Sequence, residues 1–367
     1  MNFDSFSFYP QINAGLAAAH YSTPTPIQQQ AIPPILAGRD LLGLAQTGTG
    51  KTAVFVLPIL QRLMKGPRGR LRALILSPTR ELAEQTHVVI QALGRSTGLR
   101  SLSIYGGVSA GPQVKGLRLG ADIVIACPGR LMDLMSQKQV NLSALEVLVL
   151  DEADRMFDMG FLPDVRRIVS ALPKERQTLL FSATMPSEIR GLAAEFQRSP
   201  VAVEIGGSRP VETVSHLLYP VDAAEKSDLL KSLLKETGSG QVLVFTRTKH
   251  RARKLGRQLI NLGFSAASLE GNLSQPQRVR VMDGFRSGKI RVLVATDIAA
   301  RGIDVSQISH VINYDMPDTP EAYTHRIGRT GRMTRRGAAL SLVTHEDLPM
   351  IRRIERVLGR PIERQAA

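Results

Sequence analysis

A short apolar run, Asp40-Leu41-Leu42-Gly43-Leu44, ends in Ala45-Gln46-Thr47-Gly48-Thr49-Gly50-Lys51-Thr52 and leads into an apolar-periodic stretch. Glycines in such a loop let successive backbone N–H groups converge on phosphate oxygens at a helix N-terminus. Lys51 then supplies a point charge to the β- and γ-phosphates, and the Thr52 hydroxyl can ligate Mg²⁺. Ala45 stands where the generic pattern has glycine. About a hundred residues on, Val147-Leu148-Val149-Leu150 delivers Asp151-Glu152-Ala153-Asp154 at its tip. Three carboxylates so placed expect a cation: Asp151 to hold Mg²⁺ directly or through water, Glu152 to orient and deprotonate the water attacking a γ-phosphate. A Gly-rich turn and an acidic strand-end turn are the plain alternatives. The two together in one domain point to nucleotide hydrolysis.

The elements that must carry these residues follow one rhythm: a short β-branched or Leu-rich run, a Gly or Pro turn, then a helical period. Strands are expected at 41–45, 73–77, 101–105, 122–126, 147–150, 178–181 and 201–205, with helices at 52–64, 81–93, 162–171 and 187–196. Continuous apolar runs suit parallel strands buried on both faces. The stretch Gly206-Gly207-Ser208-Arg209-Pro210 reads as a linker. The rhythm then restarts, with strands at 242–246, 266–269, 292–296, 310–314 and 339–343 and helices at 225–235, 250–262, 275–285 and 346–358. Two α/β domains in tandem follow, residues 1–207 and 208–367. Ligands of parallel sheets gather outside the carboxyl ends of the strands, so functional residues belong in strand-end loops.

Composition narrows the class. The 367 residues are 43% hydrophobic and 22% charged, which excludes a disulfide scaffold and a disordered chain. No apolar run reaches the roughly 18 residues of a membrane span. The start, Met1-Asn2-Phe3-Asp4, lacks a basic apolar leader, so the cytoplasm is the expected compartment. A single cysteine, Cys127, rules out an internal disulfide. Net charge is +15, with 36 Arg against 11 Lys, and the two halves carry +5 and +10. Such a balance favours a polyanionic partner, and Arg is the better fork for phosphate.

The literal Asp151-Glu152-Ala153-Asp154, with about a dozen motifs in order from Phe3 to Leu358, resembles the DEAD-box RNA helicases of helicase superfamily 2. The surround Ala153-Asp154-Arg155-Met156-Phe157-Asp158-Met159-Gly160-Phe161 looks like the bacterial RhlE-type subgroup. The resemblance implies two tandem RecA-like domains, each a mostly parallel β-sheet flanked by helices, with the ATP site in the cleft between them. Tyr21-Ser22-Thr23-Pro24-Thr25-Pro26-Ile27-Gln28 looks like the family's adenine-recognising Q motif, within residues 1–29. Gln28 would read the adenine edge, since an amide presents both a donor and an acceptor. Phe3 matches the upstream aromatic near the base. His20 stands where the family usually has glycine.

Further roles come by the same resemblance. Ser182-Ala183-Thr184 matches the coupling motif, whose hydroxyls bond to the acidic cluster that includes Asp154. Residues facing RNA would be Pro78-Thr79-Arg80, Gly106-Gly107 and Gly129-Arg130 in the first domain, with Thr79 capping a helix. Cys127 replaces the family's usual threonine and reads as a quiet, half-buried thiol. In the second domain Arg247, Gln275, Arg278 and Thr296 would face RNA, and Asp304 would meet the ribose. Arg329 and Arg332 match arginine fingers, worth about 10³ to 10⁵ in rate in nucleotide hydrolases. His325 would touch the coupling motif.

The resemblance implies RNA-stimulated ATP hydrolysis with Mg²⁺, coupled to local, non-processive duplex unwinding by a monomer that binds RNA through its backbone. Ribosome-assembly or RNA-decay proteins are the expected company, and no membrane. Two rivals stand beside it: an ATP-gated RNA clamp, and a DNA translocase, which a 2′-hydroxyl requirement would separate from an RNA enzyme. The chain ends without a long basic tail, so no extra RNA-targeting element is expected there.

Overall fold

The structure, a computed structural model, describes residues 2–45, 48–205, 214–300, 308–330 and 337–365, without the side chains of Gln275 and Ile298. The chain divides into two compact units, Met1–Ser208 and Arg209–Ala367. The expected linker at 206–210 lies outside the described residues.

The first unit holds β1 (Leu41–Ala45), β2 (Ala73–Leu76), β3 (Ser101–Ile104), β4 (Ile123–Ala126), β5 (Val147–Leu150), β6 (Gln177–Ser182) and β7 (Val201–Ile205). They form one parallel sheet in the order β3-β4-β2-β5-β6-β1-β7. Alternate residues of β5 enter different cores: Val147 and Val149 one, Leu148 and Leu150 the other. Two buried faces explain why the strand reads as an unbroken apolar run. Because β5, β6 and β1 are neighbours, the ends of these strands meet. Leu150 is in register with Leu180, and Leu44 with Ser182.

The second unit repeats the plan with β8 (Val214–Pro220), β9 (Gln241–Phe245), β10 (Ala266–Leu269), β11 (Val292–Ala295), β12 (Ile308–Asn313), β13 (Gly337–Val343) and β14 (Glu363–Arg364). Its parallel order is β10-β11-β9-β12-β13-β8-β14. β9 again divides its residues, Val242 and Val244 to one core and Leu243 and Phe245 to the other.

Several elements escape the periodicity. β8 alternates buried positions with more exposed ones, and β14 is two residues long. The helix Pro26–Leu36 contains Pro33 and Pro34, which argue against a helix. It forms because Thr25 and Gln28 make a capping box, Pro26 occupies the first turn, and Ile27, Ala31, Ile32 and Ile35 are buried. Among the described residues no helix is long and apolar enough to cross a membrane.

Candidate nucleotide and RNA site

β1 ends at the buried Ala45, and the helix Lys51–Leu63 begins at the end of the phosphate loop. Gln46 and Thr47 lie outside the described residues. The Lys51 side chain is buried, and its Nζ donates to the Ala45 carbonyl at 2.5 Å. Gly48 and Thr49 lie in the turn before it, and Thr52 is the second residue of the helix. Gly50 has φ +92°, and a Cβ there would lie 2.7 Å from Gln28 Nε2. Only glycine satisfies both limits.

The segment matched to adenine recognition is bonded directly to this loop. Gln28 Nε2 donates to the Gly50 carbonyl at 3.1 Å, while Gln28 Oε1 accepts from the Thr25 N–H at 2.9 Å. The Thr25 hydroxyl donates to the Thr49 carbonyl at 2.9 Å. Phe3 is buried edge-on to Tyr21, ring centroids 6.0 Å apart. His20 adopts φ +58°, so the left-handed turn that glycine would favour is kept by a histidine.

At the tip of β5, Asp151, Glu152 and Asp154 are all buried. Burial, and then the neighbouring Glu152 carboxylate, push the Asp151 carboxyl well above its ordinary range. Glu152 has φ +52°, a strained position for a non-glycine residue, and opens the short helix Ala153–Asp158. Its carboxylate is ion-paired with the buried Arg155. Asp154 reaches the end of β6: its Oδ2 accepts from Ala183 N–H (3.1 Å), Thr184 N–H (3.0 Å) and Thr184 Oγ1 (3.0 Å). The Ser182 hydroxyl departs from expectation. It donates to the Thr184 carbonyl at 2.7 Å rather than to a carboxylate, because closing its own turn is the nearer option.

The segments expected to face RNA converge at the ends of β2, β3 and β4. Pro78 and Thr79 follow β2, and Thr79 Oγ1 accepts from Leu82 N–H at 3.4 Å to cap the helix Arg80–Leu93. The Arg80 guanidinium lies 5.5 Å from the Tyr105 ring centre and donates to the Gly106 carbonyl. Gly107, at φ +76°, leaves room for it, since a Cβ there would be 2.1 Å from Arg80 Nη2. Arg130 Nη2 donates to the Val108 carbonyl at 3.0 Å, and the space above Gly129 is open. Burial pushes the Cys127 thiol up to about 12, which keeps it protonated and unreactive.

In the second unit, Arg247 N–H donates to Asp315 Oδ2 at 2.9 Å, and Thr248 caps the helix Lys249–Asn261. The helix Gln275–Arg286, capped by Ser274 and Gln277, carries a half-buried Arg278. Thr296 closes β11. His325 and the buried Arg329 belong to the helix Pro320–Ile327 and the turn after it. Asp304 and Arg332 lie outside the described residues.

Two arrangements were not foreseen. Arg326, 2% exposed, makes bonds of 2.6 and 2.7 Å to Asp297, donates to Asn313 Oδ1 and the Asp315 carbonyl, and lies 4.9 Å from the centre of the Phe245 ring. It locks the loop after β11 to the helix bearing His325. Glu84 bonds Ser103, and its carboxyl is held down at about 2, chiefly by His87. A pairing such as Arg326–Asp297, across 29 residues, is invisible in one sequence.

Two parallel seven-stranded sheets, the first ending in a phosphate loop beside an acidic strand tip, define a tandem RecA-like architecture. The DEAD/DEAH box helicase family matches residues 25–192, and the helicase conserved C-terminal domain matches 225–334. The chain is 43% identical over 364 residues to DEAD-box ATP-dependent RNA helicase 30 of Arabidopsis thaliana, covering 97% of itself and 61% of that protein. It is 44% identical over 371 residues to ATP-dependent rRNA helicase RRP3 of Saccharomyces cerevisiae, spanning 74% of that relative. Among solved structures, S. cerevisiae Dbp5 bound to RNA and ADP BeF3 is similar with a TM-score of 0.89 at 32% identity, over 99% of this chain and 95% of that one. The chain belongs to the DEAD-box ATP-dependent RNA helicases.

Proposed function

We propose that this chain hydrolyses ATP in response to RNA and uses the cycle to open short RNA duplexes locally, without travelling along them. Residues 1–207 act as the ATP-binding domain and 208–367 as the second helicase domain. The observation that carries the reading is the three-bond grip of Asp154 on Ala183 and Thr184, beside Asp151, Glu152 and the Lys51 loop. It supports a direct mechanical link between the hydrolytic carboxylates and the segment after β6.

In this reading the loop from Ala45 to Thr52, including Gln46 and Thr47, cradles the phosphates, with Lys51 on the β- and γ-phosphates. Gln28 reads adenine, Phe3 and Tyr21 shape its pocket, and Asp304 meets the ribose. Thr52 and Asp151 would hold Mg²⁺; the donor set fits, because a buried carboxylate crowded by a second one is relieved by a cation. When bound there it would supply charge neutralisation at the phosphate oxygens. Glu152 takes the proton from the attacking water, and Arg329 and Arg332 stabilise charge on the transferred phosphoryl group. His325, Ser182, Thr184 and Asp154 relay nucleotide state to the RNA contacts.

Pro78, Thr79, Arg80, Gly106, Gly107, Gly129 and Arg130, with Arg247, Gln275, Arg278 and Thr296, hold the RNA backbone. Because ATP and RNA both draw on residues of the two units, each favours binding of the other. The protein acts as a cytoplasmic monomer; the rRNA helicase among its relatives supports ribosome-assembly proteins as company.

Strand separation tests this. A short RNA duplex should come apart with ATP, while a long duplex and the matching DNA duplex should not. Equal activity on DNA would overturn the RNA assignment, and tight ATP-dependent RNA holding without strand release would favour a clamp.

A further inference from the structure

The helix Leu348–Leu358 runs back from the end of β13 toward β14, turning Ile351 and Ile354 into a core with Val214, Tyr323 and Ile327. Its outer face and the segment after it carry Arg352, Arg353, Arg356, Arg360 and Arg364, all exposed. Among the described residues none of these five guanidiniums has an anionic partner. Several other cations of this unit are paired, as in Arg247–Asp318, Lys231–Asp228, Arg251–Asp315 and Arg253–Glu270. The acids within this segment bond elsewhere: Glu355 accepts from the Ile362 N–H at 3.0 Å, and Glu363 from Gln365 Nε2 at 2.5 Å. Arg352 and Arg356 are one turn apart, and like charges at that spacing repel.

We propose that this arginine face is a second RNA-binding surface that grips the phosphates of RNA flanking the segment held by the motif loops. It rests on the reading of the chain as an RNA enzyme. Five unpaired guanidiniums offer forked donors that match phosphate oxygens without regard to sequence. A lipid surface suits the helix poorly, because its apolar face is consumed by the core and only Val357 is left exposed at 49%. In the sheet, β8 stands three positions from β9, after which Arg247 lies. At about 4.8 Å per strand, β8, against which the helix packs, is roughly 15 Å across the sheet from β9, within reach of an RNA strand that continues past the motif loops. Folding gathers an auxiliary RNA site from Arg352 to Arg364.

The test compares wild type with the full-length triple variants Arg352→Gln/Arg353→Gln/Arg356→Gln and Arg352→Lys/Arg353→Lys/Arg356→Lys. Each is titrated with single-stranded RNA just long enough for the motif loops, and with RNA several times longer, over a range of salt. The Gln variant should bind the short RNA as wild type does. On the long RNA it should bind more weakly, with a log K against log salt slope smaller by about 2. The Lys variant should keep the wild-type slope. Equal slopes for Gln variant and wild type on long RNA, or equal losses on both lengths, would overturn the proposal. Loss of binding to anionic phospholipid vesicles with RNA binding intact would also overturn it. Wild type that binds neither RNA would overturn the functional reading itself.

Discussion

Arg155 Nη1 is bonded to Glu152 Oε2 across one helical turn, with both side chains 6% exposed. The carboxylate assigned as general base is thus held by a buried cation from its own helix. Removing one member of a buried pair strands the other, at a cost of about 3–5 kcal/mol. Arg155→Met should lower stability by about 3 kcal/mol in urea unfolding, and Arg155→Lys by less. Glu152→Gln keeps a polar partner for Arg155 and should stay folded while losing about 10²-fold or more in turnover. A stable Arg155→Met protein would mean the pair contributes little.

Asp154 spends one oxygen on three donors after β6. Thr184→Ala removes one, a loss of about 1.5 kcal/mol for a bond to a charged group. RNA stimulation of hydrolysis should fall, while nucleotide affinity, read by fluorescence titration, stays within about twofold. Parallel loss of both would make Thr184 a nucleotide ligand instead.

Burial and the Glu152 charge raise the Asp151 carboxyl. Between the unfolded value near 4 and this raised value, the folded chain holds a proton that the unfolded chain has released. Stability contributed at this position therefore falls as pH rises through the window. Relative to Asp151→Asn, the wild type without nucleotide should lose up to about 1.4 kcal/mol per pH unit there, measured by denaturant unfolding. The variant should also lose Mg²⁺-dependent hydrolysis by about 10²-fold or more. A stability difference that is flat with pH would contradict the shift.

His20 takes φ +58°. A non-glycine residue in that region is strained by roughly 1–2 kcal/mol, partly offset because glycine frees the unfolded chain. His20→Gly should therefore stabilise the protein by about 1 kcal/mol or less, seen as a higher urea midpoint. A lower midpoint would show that the ring makes contacts worth more than the strain.

The sheets were legible because strands such as Val147–Leu150 and Val242–Phe245 are buried on both faces and must read as apolar runs. The phosphate loop was legible because Lys51 and Thr52 open a helix directly after such a strand. Pro26–Leu36 was not, since its prolines oppose the helix that capping and burial enforce. The Arg326–Asp297 lock and the Arg155–Glu152 pair were not, because a charged residue in sequence carries no record of its partner. The free arginine face is the converse case. Thirty-six arginines are countable, but which of them lack a counter-ion is settled only by folding.

Steady-state ATP hydrolysis tests the central claim most directly, measured without nucleic acid, with single-stranded RNA and with the matching DNA, against Glu152→Gln. Hydrolysis should rise strongly with RNA alone and be absent in the variant. Equal stimulation by DNA, or no stimulation by RNA, would contradict an RNA-driven ATPase.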